Sequence, residues 1–358
     1  MKRILFLLTL GLVACDNTEV DKELVIPAKY DGASYETNAS LEIQMTDALA
    51  SLSAEMKKGR IGTKVDASEI EKYFSVLRAS SSDYFAGLID SDWMPALIEN
   101  SGGQLFDAGK QGGLYGEYLF TQYGIENEQV IEKGLYAASF YNQARKIAET
   151  EKTAAASDKI IALWGAHPDF ANSNNSSLHS NPDKFIANYI ARRDKNDGLG
   201  LYTNIQNGLI KLQAVNSAST DYPAERAEAI QEIFENWEKG SAATAINYIY
   251  GALGKLSSTN PDEATISSAM HSFSEVLGFI LGFRTVEDKI ISDAEIDEIL
   301  VLLNTPEGQT PTTLNLLSNP VEELPKVLQV ISKLKAIYGF SDLEMEDFKQ
   351  NWVSEQNR

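Results

Sequence analysis

Apolar residues recur along most of the chain at intervals of three and four positions, which is the spacing of one face of an α-helix. In the stretch 38–58, for example, such a face is formed by Leu41, Met45, Ala48, Leu49 and Leu52. Strict alternation of apolar and polar residues, the pattern of a half-buried strand, is scarce. The hydrophobic pattern therefore predicts an all-α fold.

Helix-capping residues and prolines set the ends of the predicted helices. The predicted spans are 38–58, 66–79, 126–152, 158–164, 199–215, 223–256, 261–283, 321–338 and 342–352. Ser292 followed by Glu295 forms a capping box and begins one more helix. The stretch 80–113 is rich in Ser, Asp and Gly, so we expect a loop there with a short helix near Trp93.

Two features indicate how these helices are arranged. Small residues in the helix 126–152, among them Gly134, Ala137, Ala138 and Ala144, allow a second helix to approach closely. The stretch 165–182 is rich in Asn and Ser and is predicted to be a loop. We therefore place a boundary at 168–198, between an N-terminal helical bundle, 30–168, and a C-terminal helical bundle, 196–358.

The N-terminus has the pattern of a bacterial lipoprotein signal. Lys2 and Arg3 precede a short apolar run, 4–14, which ends in small and apolar residues directly before Cys15. This pattern predicts a signal peptide, 1–14, and lipidation of Cys15, which anchors the mature chain to a membrane through a polar, acidic tether, 15–29. The alternative is an ordinary secretory signal cut near Ala14, with Cys15 left as a free thiol.

Composition excludes several classes of function. The formal net charge is -20, and so acidic a surface repels phosphate backbones, which argues against a nucleic-acid partner. Cys15 is the single cysteine, so no intramolecular disulfide can form, and its lipidation would exclude thiol catalysis. The sequence contains no Gly-x-Ser-x-Gly, His-Glu-x-x-His or phosphate-binding glycine motif.

The candidate chemistry rests on one of three histidines. His167 and His179 lie in the predicted loop and are expected to be exposed or turn-capping. His271 lies in a predicted helix, with Glu275 four residues later on the same face. A His and a carboxylate on one helical face can bind a transition metal if other helices supply further ligands. The alternative is a buried histidine held by Glu275 or a backbone carbonyl, with no ligand.

Three stretches resemble an uncharacterised family of Gram-negative lipoproteins that is itself similar to imelysin, a helical envelope protein classed as a metallopeptidase. They are residues 133–143, 237–248 and 270–279, the last followed by 291–300. The resemblance implies two packed bundles, an association with iron acquisition, and a metal site at His271 and Glu275, with Lys133 and Tyr141 as neighbours. Imelysin has the motif His-x-x-Glu, whereas this chain has His-x-x-x-Glu.

Together, the residues and the resemblance lead us to expect an envelope-anchored lipoprotein that acts as a binding or accessory protein in metal or nutrient acquisition. The metal would be iron or another divalent ion, and the outer membrane would hold the anchor. Its partners would be a metal or haem ligand and envelope transport proteins. Two alternatives remain: a metal-dependent peptidase of imelysin type, and a structural or interaction lipoprotein without a ligand.

Overall fold

The computed structural model describes residues 23–358, so the predicted signal peptide and Cys15 lie outside the described residues. The described part is all-α, as predicted. The helices are α1 (Tyr35–Asn38), α2 (Ser40–Lys57), α3 (Ala67–Arg78), α4 (Asp83–Leu88), α5 (Met94–Asn100), α6 (Asn127–Leu135), α7 (Asn142–Thr150), α8 (Ala155–Trp164), α9 (Phe185–Ala191), α10 (Leu201–Ser217), α11 (Pro223–Leu256), α12 (Glu263–Leu281), α13 (Asp293–Leu302), α14 (Asn315–Ser318), α15 (Pro320–Tyr338), α16 (Asp342–Asp347) and α17 (Trp352–Glu355).

Three shorter helical segments and one hairpin complete the described elements. A 3-10 turn, Lys58–Ile61, follows α2, and π-helical segments join α4 to α5 (Ile89–Trp93) and α6 to α7 (Tyr136–Tyr141). The strands β1 (Gly113–Tyr115) and β2 (Tyr118–Phe120) pair antiparallel.

Local signals fix the helix ends where the sequence indicated them. The Asp66 side chain accepts from the amides at the start of α3, and Ser292 and Glu295 form the predicted capping box of α13. The longest helix, α11, spans the predicted 223–256, with Pro223 in its first turn, where no intrahelical donor is required of it.

Two sequence expectations fail locally. The stretch 80–113 is largely helical, because α4, a π-helical segment and α5 occupy Asp83 to Asn100. On α2 the apolar Leu41 is 68% exposed, while Glu42 is 5% exposed, so the buried face is rotated relative to the predicted one.

The hydrophobic core is continuous through both predicted bundles. A single cluster of buried side chains extends from Tyr35 to Val353. The tract predicted as a boundary contributes to it, since α9 buries Ile186 and Ile190 within it. The loop that precedes α9 agrees with the predicted loop at 165–182. The two predicted bundles therefore share one hydrophobic core.

None of the helices in residues 23–358 has both the length and the apolar character that crossing a bilayer requires.

Glycines bring α6 and α12 into backbone contact. A Cβ atom on Gly278 would lie 2.7 Å from the Cβ of Lys133 and 2.9 Å from the carbonyl oxygen of Gln129. A Cβ atom on Gly282 would lie 2.4 Å from the carbonyl oxygen of Gly134. The predicted close approach at Gly134 is thus confirmed, and it presses the polar N-terminal part of α6 against α12.

Candidate functional site

His271 lies on α12 between two carboxylates. Its Nδ1 is 2.6 Å from Oε2 of Glu126, and its Nε2 is 3.5 Å from Oε2 of Glu275. The side chain is 19% exposed, and the ring stacks on Tyr118 with 4.4 Å between centroids. The predicted pairing of His271 with Glu275 is therefore present, but the shorter contact is with Glu126.

The β-hairpin holds Tyr118 over His271. The amide of Gly116, in the turn between the strands, donates to Oε1 of Glu263 at 3.0 Å. A Cβ atom on Gly116 would lie 2.2 Å from Oγ of Ser267, so the turn packs directly on α12. Stacking on Tyr118 then restricts the rotation of the imidazole.

Glu126 directly precedes α6 and is completely buried. Its amide donates to Oγ of Ser274 at 2.9 Å, and its Oε1 is 2.7 Å from a guanidinium nitrogen of Arg60. Burial raises the pKa of Glu126 to about 7, and the charge of Arg60 opposes that rise. Arg60 thus favours the ionised carboxylate that faces His271.

The geometry indicates which imidazole nitrogen carries the proton. Burial lowers the pKa of His271 to about 4, so the ring is neutral near pH 7. A neutral imidazole carries one proton, on either Nδ1 or Nε2. If the proton is on Nδ1, Nδ1–H donates to Glu126 and Nε2 is left as an acceptor. If Glu126 is protonated and donates to Nδ1, the ring proton is on Nε2 and faces Glu275. A separation of 2.6 Å suits a charge-assisted hydrogen bond, whereas 3.5 Å is too long for an ordinary one. The distances and Arg60 favour the first arrangement.

Glu275 is 3% exposed and its Oε2 has no hydrogen-bond partner among the described residues. Its Oε1 is 3.5 Å from the hydroxyl of Tyr189 and 3.7 Å from Nζ of Lys133. Burial raises the pKa of Glu275, and Lys133 opposes this. The bare Nε2 of His271 and the unpartnered Oε2 of Glu275 therefore face each other.

Lys133 is a neighbour of the site, as the resemblance implied. It is 3% exposed, its Nζ is 2.9 Å from Oε2 of Glu132, and it lies over the rings of Tyr136 and Tyr189. Nearby carboxylates, Glu132 above all, raise its pKa against the opposing effect of burial. A charged lysine in this position compensates part of the buried negative charge.

A second pair of buried carboxylates extends the cluster toward solvent. Glu128 pairs with Arg60 and lies 3.7 Å from Nζ of Lys57, which is also 3.6 Å from Glu132. Burial and the neighbouring Glu132 raise the pKa of Glu128, while Lys133 and Lys57 hold the pKa of Glu132 low. A proton taken up by this pair is therefore expected on Glu128 and not on Glu132.

The cluster has more acceptors than cations. We call it the α6–α12 cluster; its carboxylates are Glu126, Glu128, Glu132 and Glu275, and its cations are Arg60, Lys57 and Lys133. Buried carboxylates without a partner are costly, so the cluster favours an added proton or cation.

Tyr141, the other implied neighbour, belongs to a different part of the core. Its ring packs edge-on against Phe234, Trp237 and Phe283. The remaining histidines lie in the loop before α9, as predicted. Nδ1 of His167 contacts Asp169 at 2.8 Å.

The described residues contain no group of three or more His, Cys, Asp or Glu side chains placed to hold a metal ion. His271 and Glu275 supply two donor atoms. Two ligands that are each about 2.1 Å from a metal ion and separated by a tetrahedral angle lie roughly 3.4 Å apart. The observed 3.5 Å between Nε2 and Oε2 fits this spacing. The metal assignment itself stays a prediction.

Sequence reasoning missed Glu126 and Arg60. Glu126 stands at the start of the predicted helix 126–152. It is 145 residues from His271 along the chain, so local sequence patterns do not reveal their contact. One sequence signal was available, because four charged residues fall between 126 and 133. A surface helix would expose such residues to water, but in the structure every residue of α6 is buried.

Comparison with known proteins gives one match. No curated protein and no solved structure matches the chain. Residues 163–332 match the model of a domain of unknown function (DUF4856). The matched stretch contains His271 and Glu275, whereas Arg60, Glu126 and Lys133 precede it. The matched stretch is a little under half of the chain, and it is similar to a family that is itself uncharacterised.

Proposed function

We propose that this chain is an envelope-anchored lipoprotein that binds a divalent transition-metal ion for acquisition, with His271 and Glu275 as its protein ligands. The observation that carries the proposal is that Nε2 of His271 and the buried Oε2 of Glu275, which has no hydrogen-bond partner among the described residues, face each other at 3.5 Å. An imidazole nitrogen and a carboxylate oxygen are donors that first-row divalent metals accept.

Glu126 supports the same assignment. Histidines that ligate metals usually donate their other ring N–H to a carboxylate, which fixes the ring and makes the ligating nitrogen more basic. Glu126 stands in that position, and the stacked Tyr118 holds the plane of the ring. The excess of negative charge in the α6–α12 cluster favours the bound cation electrostatically.

Two protein ligands suit a protein that releases its cargo. Structural metal sites are closed by four protein ligands, whereas this site leaves the other positions to water or to a ligand that arrives with the metal. The resemblance to imelysin favours iron as the metal. The predicted signal peptide at 1–14 and the predicted lipidation of Cys15 favour attachment to the envelope, with the outer membrane as the proposed location.

Calorimetric titration of the purified full-length chain with Zn²⁺ and Fe²⁺ tests this proposal. We expect micromolar binding by the wild type and its loss in His271→Asn, which keeps a donor near the Nδ1 position but lacks Nε2. Glu275→Gln should weaken binding as well. The matched control is His167→Asn, since His167 also faces a carboxylate but lies in the loop.

Absence of micromolar binding by the wild type would refute the proposal, as would equal binding by wild type and His271→Asn. Thermal melting of each variant shows whether the chain is folded. If His271→Asn does not fold, Glu275→Gln decides, because it removes one anionic ligand oxygen and preserves side-chain volume.

A further inference from the structure

Tyr189 approaches the α6–α12 cluster from α9, on the side of Glu275 that His271 does not occupy. The hydroxyl of Tyr189 is 3.5 Å from Oε1 of Glu275, while Nε2 of His271 is 3.5 Å from Oε2 of the same carboxylate. A separation of 3.5 Å is too long for an ordinary O–H···O hydrogen bond, so Glu275 offers the phenol only a weak one. The phenol and the imidazole therefore flank the two oxygens of one buried carboxylate.

Packing fixes α9, and with it Tyr189. A Cβ atom on Gly240 of α11 would lie 2.5 Å from Cγ1 of Ile190, so α9 and α11 are in close contact. The C-terminal end of α9 is held by the end of the chain, since the amide of Trp352 donates to the carbonyl oxygen of Arg192 at 2.9 Å. The phenol is thus carried by an element that is held on two sides, which favours a precisely placed ligand.

Aromatic neighbours restrict the ring of Tyr189. Phe279 of α12 packs edge-on against it with 5.3 Å between centroids, and Tyr248 of α11 lies 6.2 Å from it in a tilted arrangement. Edge-on and tilted contacts of this kind hold a ring in one orientation. They keep the hydroxyl of Tyr189 beside Glu275.

Two cations lie over the Tyr189 ring. Nζ of Lys133 is 5.0 Å and the guanidinium carbon of Arg192 is 4.9 Å from the ring centroid. Positive charge at these distances stabilises a phenolate more than a neutral phenol. The same cations repel an incoming metal ion, so binding at this position requires anionic ligands.

The two spacings fit a single ion. Donor atoms that are each about 2.1 Å from a metal ion and separated by a tetrahedral angle lie roughly 3.4 Å apart. The distance from Oε1 to the phenol oxygen and the distance from Oε2 to Nε2 are both 3.5 Å. An ion chelated by the two oxygens of Glu275 would therefore have the imidazole nitrogen of His271 on one side and the phenol oxygen of Tyr189 on the other.

A phenol ligand changes which ion the site prefers. Carboxylate and phenolate oxygens are hard anionic donors, and together they neutralise two of the three charges of Fe³⁺. A divalent ion such as Zn²⁺ or Fe²⁺ is served by the imidazole and the carboxylate, and it gains less from a second anion. The arrangement at Tyr189 therefore favours a hard trivalent ion.

We infer that Tyr189 is a third protein ligand of this site and that its phenolate makes the site selective for ferric iron. This inference rests on the proposed function and deepens it. On binding, an O–Fe bond replaces the phenol O–H bond and the proton passes to water. Tyr189 then takes one of the positions that a divalent ion leaves to water. His271, Glu275 and Tyr189 all lie within the matched residues 163–332.

Titration of the purified full-length chain with ferric nitrilotriacetate, followed by visible absorption, tests the inference. A phenolate bound to Fe³⁺ produces a charge-transfer band in the visible region, which an imidazole and a carboxylate do not. We expect a band in the wild type that saturates at one Fe³⁺ per chain. Tyr189→Phe should lose the band and raise the dissociation constant for Fe³⁺ at least tenfold. Its affinity for Zn²⁺, measured by calorimetry, should change less than its affinity for Fe³⁺.

Tyr141→Phe is the matched control, because Tyr141 is also buried but packs in a different part of the core, and it should keep the band. Iron binding without a band overturns the inference, as does a band that Tyr189→Phe retains or equal weakening of Fe³⁺ and Zn²⁺ binding. A wild type that binds Zn²⁺ but not Fe³⁺ overturns this inference alone, whereas one that binds neither metal overturns the proposed function as well. If thermal melting shows that Tyr189→Phe does not fold, His271→Asn decides, since a band unchanged in that variant places the phenolate outside this site.

Discussion

A single added methyl group at Gly278 tests the packing that creates the α6–α12 cluster. The Cβ of Gly278→Ala would lie 2.7 Å from the Cβ of Lys133, 2.9 Å from the carbonyl oxygen of Gln129 and 3.0 Å from that of Val130. Carbon atoms pack at roughly 3.5–4.0 Å, so the two helices must separate by about 1 Å. None of the three contacted atoms is the end of a flexible side chain that could move aside.

The expected magnitude follows from two opposing terms. Overpacking of a tight core interface costs about 1–3 kcal/mol. Replacing Gly by Ala inside a helix returns about 0.5–1 kcal/mol. We expect Gly278→Ala to lower the free energy of unfolding by about 1–2 kcal/mol, since the contacts involve backbone atoms on the facing helix.

Gly251→Ala is the matched control for this substitution. Gly251 is exposed on α11, and a Cβ atom there would have no neighbour within 4 Å. Gly251→Ala introduces no steric contact and gains only the higher helix propensity of Ala, so it should raise the free energy of unfolding by about 0.5–1 kcal/mol. Urea denaturation followed by circular dichroism measures both variants. Stabilisation by Gly278→Ala equal to that by Gly251→Ala would refute the close contact between α6 and α12.

Three further outcomes are expected. Lys133→Met should lower the free energy of unfolding by about 3–5 kcal/mol, because it leaves buried carboxylates without their cation. Lys146→Met, at an exposed position, should change the free energy of unfolding by less than about 0.5 kcal/mol. Equal effects of the two substitutions in urea denaturation would contradict the buried network. Burial raises the pKa of Asp183 to about 7 from 3.8, so the folded protein favours the protonated carboxyl. The stability that this protonated group contributes is complete below pH 3.8 and is lost as the pH rises through 7. The wild type should therefore lose up to about 4 kcal/mol relative to Asp183→Asn between pH 4 and well above pH 7, and parallel stability curves would exclude this. In a Gram-negative host, Cys15→Ala should remove the chain from the lipid-modified membrane fraction on fractionation and acyl-chain mass spectrometry, whereas an unmodified wild-type Cys15 would contradict lipidation.

Elements with local signals were predicted well. The bounds of α11 follow from Pro223 and the helical period, and the ends of α3 and α13 follow from caps at Asp66 and Ser292. These features depend on residues within one turn of each other, so a single sequence contains the information.

The helices at Asp83–Asn100 were missed because a π-helical segment interrupts their period. Phe85 and Ile89 are four residues apart, but the next buried position, Met94, follows after five. The inserted residue shifts the buried face and breaks the regular spacing on which a periodicity argument depends. The β-hairpin was missed for a related reason, since strands of three residues are too short to show alternation.

Half of the candidate site could be found from the chain itself. His271 and Glu275 are one helical turn apart, so their proximity follows from helix geometry. Glu126 and Arg60 come from other elements, and their contacts depend on the close approach at Gly278 and Gly134. Such contacts are set by tertiary packing, which periodicity and capping do not specify.

The protonation of the two ring nitrogens of His271 tests the proposed site most directly. The chain has three histidines, so long-range proton–nitrogen spectra of histidine-labelled protein contain few signals, and His271→Asn identifies those of His271. Near pH 7 we expect a proton on Nδ1 and none on Nε2, and a shift of the Nε2 signal on addition of Zn²⁺. A protonated Nε2 whose signal does not change with Zn²⁺ would show that His271 donates to Glu275 and that the site does not bind metal.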